Sequence, residues 1–242
     1  MDRLGYTAMS AASRTEQSLQ VHANNLANVS THGFRADLEQ AQAASVQGYG
    51  YDSRHMAQIK DNGVDTSTGT LVATGRELDI AIQGKGLIAL ESGAGEVYTR
   101  NGNIQVDESL RLTINGYAVM GEGGPIVLPE FDSVHIGTDG VVSVIPRGEN
   151  LMAEVGRIKR VDVPAADLMK NASGMLVTKN GVPADQNDEV VLASGYLESS
   201  NVSAIEELVA SMSLNRLFET QVKMMKAAED LSDAGNRMIR GS

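Results

Sequence analysis

Cysteine and tryptophan are absent from this chain of 242 residues, and aromatic residues make up only 4% of it. Without cysteine the chain has no disulfide framework, no thiolate zinc site and no thiol nucleophile. That absence is compatible with an oxidising compartment but does not establish one. Hydrophobic residues still amount to 42%, so we expect a buried core with few large aromatic anchors.

Positive charge is also in short supply, since the formal net charge is −11. An acidic chain argues against a nucleic-acid surface, which needs a basic patch, and against binding to an anionic membrane. No apolar run reaches the ~18 residues that would suggest a bilayer span. The first residues lack the basic segment, apolar block and cleavage site of a signal peptide. We therefore expect either a cytoplasmic protein or one exported without cleavage.

The usual signatures of catalysis are missing too. The four histidines have no metal-ligand spacing, and no Gly-x-Ser-x-Gly nucleophile elbow occurs. The glycine-rich segments 84–86 and 121–124 lack the spacing of a phosphate-binding loop and are interpreted as turns. The sequence therefore predicts a protein that is not an enzyme and has no cofactor and no metal site.

The N-terminal segment predicts a helix over residues 3–28, about 25 residues and ~38 Å long. Ala12, Leu19 and Leu26 recur every seven residues and give one apolar face. Asn28 and Gly33 are suited to end the helix, because both residue types tolerate left-handed backbone. Amides are poor helix formers and need hydrogen-bond partners, which neighbouring helices could supply. This applies to Asn24, Asn25 and Asn28.

The middle of the chain changes pattern. Residues 29–75 predict an extended or loop-rich connector, with a helical continuation over residues 36–44 as the alternative. From residue 75 to 198, short β runs alternate with turn signals, so an all-β region is expected. The dipeptides at 101–102, 115–116, 139–140 and 180–181 are Asn-Gly or Asp-Gly, which favour hairpins. The expected strands are 78–82, 87–91, 97–100, 104–107, 111–114, 134–136, 141–145, 155–163, 175–178 and 190–193.

Helical periodicity returns after Asn201, where Asn201 or Ser203 could act as N-cap. Apolar residues then follow three- and four-residue steps for roughly 38 residues, a length that suggests a coiled coil. The sequence thus predicts an α+β fold with long N- and C-terminal helices paired as a coiled coil and an all-β middle of two small subdomains. The predicted domains are a helical assembly domain (1–30 plus 200–242), a connector (31–75) and a β-rich domain (76–199), subdivided near 120–150.

The two terminal helices have more apolar surface than their own chain can cover, so copies of this chain or other proteins should cover the rest. The residues expected at such subunit interfaces, or in the turn that follows the first helix, are Leu19, Asn24, Asn25, Leu26, Asn28, Thr31, Gly33, Phe34, Asn201, Leu208, Met212, Phe218, Val222 and Met225.

Seven short motifs resemble one known family. They are ANNLAN (23–28) with THGFR (31–35), LDIAIQGKGL (78–87), YTRNG (98–102) with LTINGYAV (112–119), LESSNV (197–202), and RLFETQVK (216–223). Taken in this order, they resemble the bacterial flagellar rod and hook proteins. His32 stands where the motif is variable, and Ser203 where an acidic residue is common.

The resemblance implies a structural subunit of the proximal rod, which polymerises through its terminal helices and transmits torque for motility. It implies other rod subunits, including the distal-rod protein, as partners in a helical heteropolymer. It also implies passage through the flagellar type III export apparatus without a cleaved signal peptide, and a location in the rod where it crosses the periplasm. A distal-rod subunit is the alternative within the family. Outside it, the alternatives are a β-domain binding protein or enzyme with a helical oligomerisation stalk, and an export chaperone.

Overall fold

A computed structural model describes residues 2–45, 55–93, 95–149 and 151–240 of the chain. These divide into two compact units. Among the described residues, the helical unit comprises 2–27, 37–45, 55–62 and 203–240, and the β unit comprises 28–36, 63–93, 95–149 and 151–202. The α+β fold predicted from the sequence is therefore confirmed, with a helix at each end of the chain and strands between them.

The helical unit contains both long helices, α1 (Asp2–Ala27) and α2 (Ala204–Arg240). Their bounds agree closely with the periodic apolar pattern of the sequence. Helix α2 begins directly after Ser203, and the Glu207 amide donates to the Ser203 carbonyl at 3.0 Å. Glu206 and Glu207 lie in the first turn, where negative charge is favoured by the helix dipole.

The helical unit also contains most of a two-stranded sheet formed by β1 (Asp37–Ser45) and β2 (His55–Val64). The alternative of a helical continuation over residues 36–44 is therefore wrong. That segment is rich in alanine, which favours a helix in isolation. Pairing with β2 supplies the backbone hydrogen bonds that hold it as a strand instead.

The remaining strands belong to the β unit and are short. They are β3 (Leu71–Ala73), β4 (Ile80–Gln83), β5 (Leu87–Ser92), β6 (Gly95–Thr99), β7 (Gln105–Val106), β8 (Leu112–Ile114), β9 (Tyr117–Gly121), β10 (Gly124–Pro125), β11 (Phe131–Ile136), β12 (Val141–Pro146), β13 (Ala153–Arg157), β14 (Arg160–Val161), β15 (Leu168–Lys170), β16 (Leu176–Thr178), β17 (Val191–Ser194) and β18 (Tyr196–Glu198). A single turn of 3-10 helix spans Ala165–Asp167.

The largest sheet has the order β15-β16-β6-β5-β9-β8-β7, with β10 on β9 and β14 on β5. The strands β11, β12 and β13 form a second sheet, and β17 pairs with β4 while β18 pairs with β3. The pairings with known register are antiparallel. Side chains from both of the larger sheets share one buried apolar cluster, which includes Ile88, Leu90, Val142 and Val144.

Two of the four expected hairpin turns are confirmed. Asn115 and Gly116 both have positive φ, at 52° and 82°, and join the paired strands β8 and β9. Asp139-Gly140 joins β11 to β12. The turn at Asn180-Gly181 follows β16 but does not join paired strands. The Asn101-Gly102 prediction is wrong, because the flanking strands β6 and β7 do not pair with each other. Gly102 instead lies against the Ile80 carbonyl, where a Cβ would clash.

The single strand predicted over 155–163 is also wrong, since the chain breaks there into β13 and β14, which pair with different strands. The short strands β3, β9, β10, β15 and β18 were not predicted. Most have only two or three residues, too few for alternation of apolar and polar side chains to be recognised.

Candidate functional site

The two long helices pack against each other in antiparallel orientation. The Gln221 amide donates to the Thr15 hydroxyl at 3.1 Å, and the Asn25 amide donates to Glu207 Oε1 at 3.1 Å. Glu207 is also hydrogen bonded to His22. As residue number increases from 15 to 25 on α1, the partner's number falls from 221 to 207, which is the signature of an antiparallel pair.

The face of α2 that is covered by this pairing follows alternating steps of three and four residues, as in a coiled coil. Small and polar side chains make up most of this seam. Its members are Ala204, Glu207, Ser211, Leu214, Phe218, Gln221, Met225, Ala228, Ser232 and Gly235, all buried or half-buried. On α1 the covered face is also built largely of small side chains, among them the buried Ala8, Ala12 and Thr15. Helices with small seam residues can approach closely but bury little apolar area.

Larger apolar residues of α2 lie outside the seam and are exposed. Four of them, spaced for one helical face, form what we call the helix patch: Ile205, Leu208, Val209 and Met212. Four more recur every seven residues and form what we call the helix ridge: Leu217, Met224, Leu231 and Met238, which are 46–74% exposed. Tyr6 and Met9 of α1 are more than half exposed as well. Exposed apolar side chains in a regular pattern of this kind are typical of surfaces that contact other proteins.

The apolar residues predicted from the sequence divide between these two surfaces. Leu19, Leu26, Phe218 and Met225 are half-buried on the covered faces of the helical pair. Leu208, Met212 and Val222 are 42–56% exposed and lie outside the seam. Only the second group is therefore exposed enough to contact another protein directly.

The predicted asparagines of α1 have partners within the chain. Asn25 is only 2% exposed, and its side chain exchanges two hydrogen bonds with the Asp37 backbone, at 2.8 and 3.1 Å. The Asn24 amide donates to the Asp37 carboxylate at 2.8 Å. These bonds fix the start of β1 against the end of α1.

The turn that follows α1 is held by Asn28, Thr31 and Gly33. The Thr31 amide and hydroxyl donate to the Asn28 carbonyl and side chain at 3.0 and 3.1 Å. Gly33 has φ of 68° and donates its amide to the Glu198 carbonyl at 2.8 Å. A Cβ at Gly33 would lie 2.5 Å from Asn101 Cα, so only glycine fits there. Phe34 follows, with the Lys170 ammonium 3.9 Å from its ring centroid.

Asn201 joins three segments of the β unit. Its side-chain oxygen accepts the Ala36 amide at 2.8 Å, and its amide group donates to the carbonyls of Asp65 and Ser67 at 3.1 and 3.2 Å. Of the two N-cap candidates, Ser203 directly precedes α2. Asn201 instead connects the segment that ends at Ala36 with residues 65–67 through its side-chain hydrogen bonds.

Glu198 forms an ion-pair cluster that sequence reasoning missed. Its carboxylate lies 2.8 Å from Arg35 Nη2 and 3.0 Å from Arg100 Nη1, and all three side chains are 1–3% exposed. The Gly69 amide also donates to Glu198 Oε1 at 2.7 Å. Burial lowers the pKa of Arg100 to about 10, against the opposing attraction of Glu198. The three charges are far apart in sequence, so no local pattern could have revealed them.

Within the described part of the chain, no group of three or more acidic or histidine side chains is arranged to hold a metal ion. Among the same residues, no helix is long and apolar enough to cross a membrane.

Three family models match the chain in order. A model described as flagella basal body rod protein matches residues 6–35, the flagellar hook protein FlgE/F/G D1 domain matches residues 81–144, and the flagellar basal body rod FlgEFG protein C-terminal model matches residues 193–238. The first covers most of α1 and the following turn, and the last covers Glu198, Asn201 and most of α2.

Named relatives align over almost the whole chain. The flagellar basal-body rod protein FlgF of Escherichia coli is 37% identical and that of Salmonella typhimurium is 36% identical, each over 99% of both chains. The flagellar basal-body rod protein FlgG of Bacillus subtilis is 30% identical over 93% of this chain and 95% of its own. Similarity of this extent, together with the three models in sequence order, shows that the chain belongs to the flagellar basal-body rod protein family and resembles its FlgF members.

Proposed function

We propose that the chain is a structural subunit of the proximal rod of the flagellar basal body, and that it polymerises through its terminal helices. The observation that carries the proposal is the distribution of apolar side chains on α2. The seam with α1 holds mostly small and polar residues beside Leu214, Phe218 and Met225, while the helix ridge and the helix patch stay exposed. Burying a large aliphatic side chain stabilises by about 1.5–3 kcal/mol, so eight such residues represent substantial free energy available for assembly.

The partners we propose are other rod subunits, among them FlgG, in a helical heteropolymer. Contacts that join unlike surfaces do not close on themselves, and they generate open helical assemblies. Helices packed at the density of a protein interior resist shear, which suits a shaft that transmits torque. A structural role agrees with relatives whose names describe rod proteins, and no catalytic role is proposed.

Export is the second part of the proposal. We infer that the chain reaches the rod through the flagellar export apparatus without a cleaved signal peptide, and that the assembled rod crosses the periplasm. Most seam residues of α2 are small or polar, so separating the two helices before export would expose only limited apolar area.

A distal-rod subunit is the second candidate, favoured by the 30% identity with the FlgG protein of Bacillus subtilis. The order of assembly separates the two. We expect basal bodies purified from cells without FlgG to retain this chain, because a proximal subunit is added before a distal one. Basal bodies from cells without this chain should lack FlgG. Loss of this chain when FlgG is deleted would contradict the proximal position and favour the distal one.

A further inference from the structure

The β unit contains a cavity of about 260 Å³ that neither the fold nor the proposed assembly explains. Part of its wall is apolar and includes Leu87, Leu168 and Leu176. The other part is charged: the buried guanidinium groups of Arg35 and Arg100 line it, with the exposed Lys85 and Asp162 as the other charged lining residues.

The charges around this cavity do not balance. Arg35, Arg100 and Lys85 carry three positive charges, and Asp162 with the Glu198 carboxylate behind the two arginines carries two negative ones. Arg35 and Arg100 are each 3% exposed, so water screens their charges poorly. The protein has a net charge of −11, yet the groups around this cavity carry one more positive than negative charge.

The two arginines also have donors to spare. Arg35 Nη1 donates to the Ser67 carbonyl, while Arg100 donates to the carbonyls of Ile82 and Gly84 and to Glu198. Arg35 Nη2 lies beside Glu198 as an ion pair, but it has no hydrogen-bond partner among the described residues. Four hydrogen bonds to described residues are thus made by two groups that together have ten N–H donors. A planar anion could accept from the remaining donors in the paired geometry that guanidinium groups favour.

We propose that this cavity binds a carboxylate on a short aliphatic stem, with the carboxylate at Arg35, Arg100 and Lys85 and the stem against Leu87, Leu168 and Leu176. Such a group is either the acidic side chain of a neighbouring rod subunit or a free aliphatic acid. Both sources place the same chemistry in the cavity. The site does not depend on where in the rod the chain is located.

Titration of the full chain with sodium butyrate tests the proposal, with the Arg Nε–H resonances of Arg35 and Arg100 as the readout and ionic strength held constant with NaCl. Butyramide, a neutral molecule of the same shape, is the matched ligand control. We expect saturable shifts with butyrate at a dissociation constant on the order of 1 mM, and none with butyramide. Equal responses to the two compounds, or no response to butyrate, would overturn the proposal.

Variants at the rim sharpen the test without disturbing the buried arginines. We expect Lys85→Gln to weaken butyrate binding about fivefold and Asp162→Asn to strengthen it by a similar factor. Lys226→Gln, on α2, makes the same charge change outside the cavity and should leave the affinity unchanged. If the three variants bind butyrate alike, the cavity is not the site and the assignment fails.

The source of the carboxylate can be assigned in rods, because the chain has no cysteine of its own. Maleimide should label Lys85→Cys in the free chain. Protection of this cysteine in purified rods shows that a neighbouring subunit covers the cavity, as expected if its acidic side chain is the ligand. Equal labelling in the free chain and in rods, while the unaltered chain binds butyrate, assigns the site to a free acid. Equal labelling in rods, together with no binding of butyrate by the unaltered chain, would overturn the proposal.

Discussion

Gly33 lies in the turn that follows the first helix, and it shows how one residue type is imposed by a close approach. The backbone there has positive φ, and the Arg100–Asn101 peptide occupies the space that a side chain would need. We expect Gly33→Ala to lower the free energy of unfolding by at least about 2 kcal/mol, measured by urea denaturation. Gly123→Ala, where nothing lies within 4 Å of the added Cβ, is the control. Equal stability of the two variants would contradict the account.

Glu198 is the residue on which the buried charges of the β unit depend. Glu198→Gln keeps the shape of the side chain but leaves two buried guanidinium groups without a counter-charge. We expect a loss of about 3–5 kcal/mol in the free energy of unfolding, the cost of breaking a buried pair.

The control for Glu198→Gln is Glu130→Gln, which removes an exposed pair in which Arg147 and Glu130 are 75% and 74% exposed. An exposed pair of this kind contributes little, so no measurable change in stability is expected. A small effect at both positions would mean that the buried cluster is not needed for the fold.

The individual elements show what the sequence could predict. Regular periodicity over tens of residues predicted both helices, and the Asn115-Gly116 turn was predicted because positive φ at two successive residues favours this dipeptide. The strand β1 was missed because its alanines favour a helix, and its partner β2 lies beyond the reach of a local pattern. Of the candidate residues, the turn around Gly33 and Phe34 could be predicted locally, because glycine tolerates the positive φ that such a turn needs. The partners of Asn25, Asn201 and Glu198 could not, because they depend on tertiary contacts.

The seam between α1 and α2 contains a polar defect that can be tested. Gln221 is 8% exposed, and its side-chain oxygen has no hydrogen-bond partner among the described residues. Gln221→Met removes this buried oxygen, while the Thr15 hydroxyl keeps its bond to the Ala11 carbonyl at 3.0 Å. We expect the helical pair to gain about 1–2 kcal/mol, seen as a higher midpoint of helix loss by circular dichroism.

The exposed Gln20 of α1 is the matched position for this change. Gln20→Met adds the same apolar side chain outside the seam and should leave the midpoint unchanged. If the midpoint of helix loss for Gln221→Met is no higher than that of the unaltered chain, the buried Gln221 oxygen does not destabilise the seam, and the interpretation is wrong.

At the scale of the whole molecule, the seam between the two helices uses mostly small and polar residues of α2, and eight larger apolar residues of α2 stay exposed. The exposed apolar side chains of α2 suit a subunit that assembles with other rod components. The central claim is therefore that the helix ridge contacts neighbouring subunits in the rod.

The most direct test replaces three ridge residues together, as Leu217→Gln, Met224→Gln and Leu231→Gln. The matched control places glutamine in the same three heptads off the ridge, as Glu219→Gln, Lys226→Gln and Asp233→Gln. The measurement is the amount of each variant in purified basal bodies, by quantitative mass spectrometry, relative to the amount exported. The account predicts at least a tenfold loss for the ridge variant, about 1.4 kcal/mol or more of assembly free energy, and near-normal incorporation of the control. Normal incorporation of the ridge variant would contradict it.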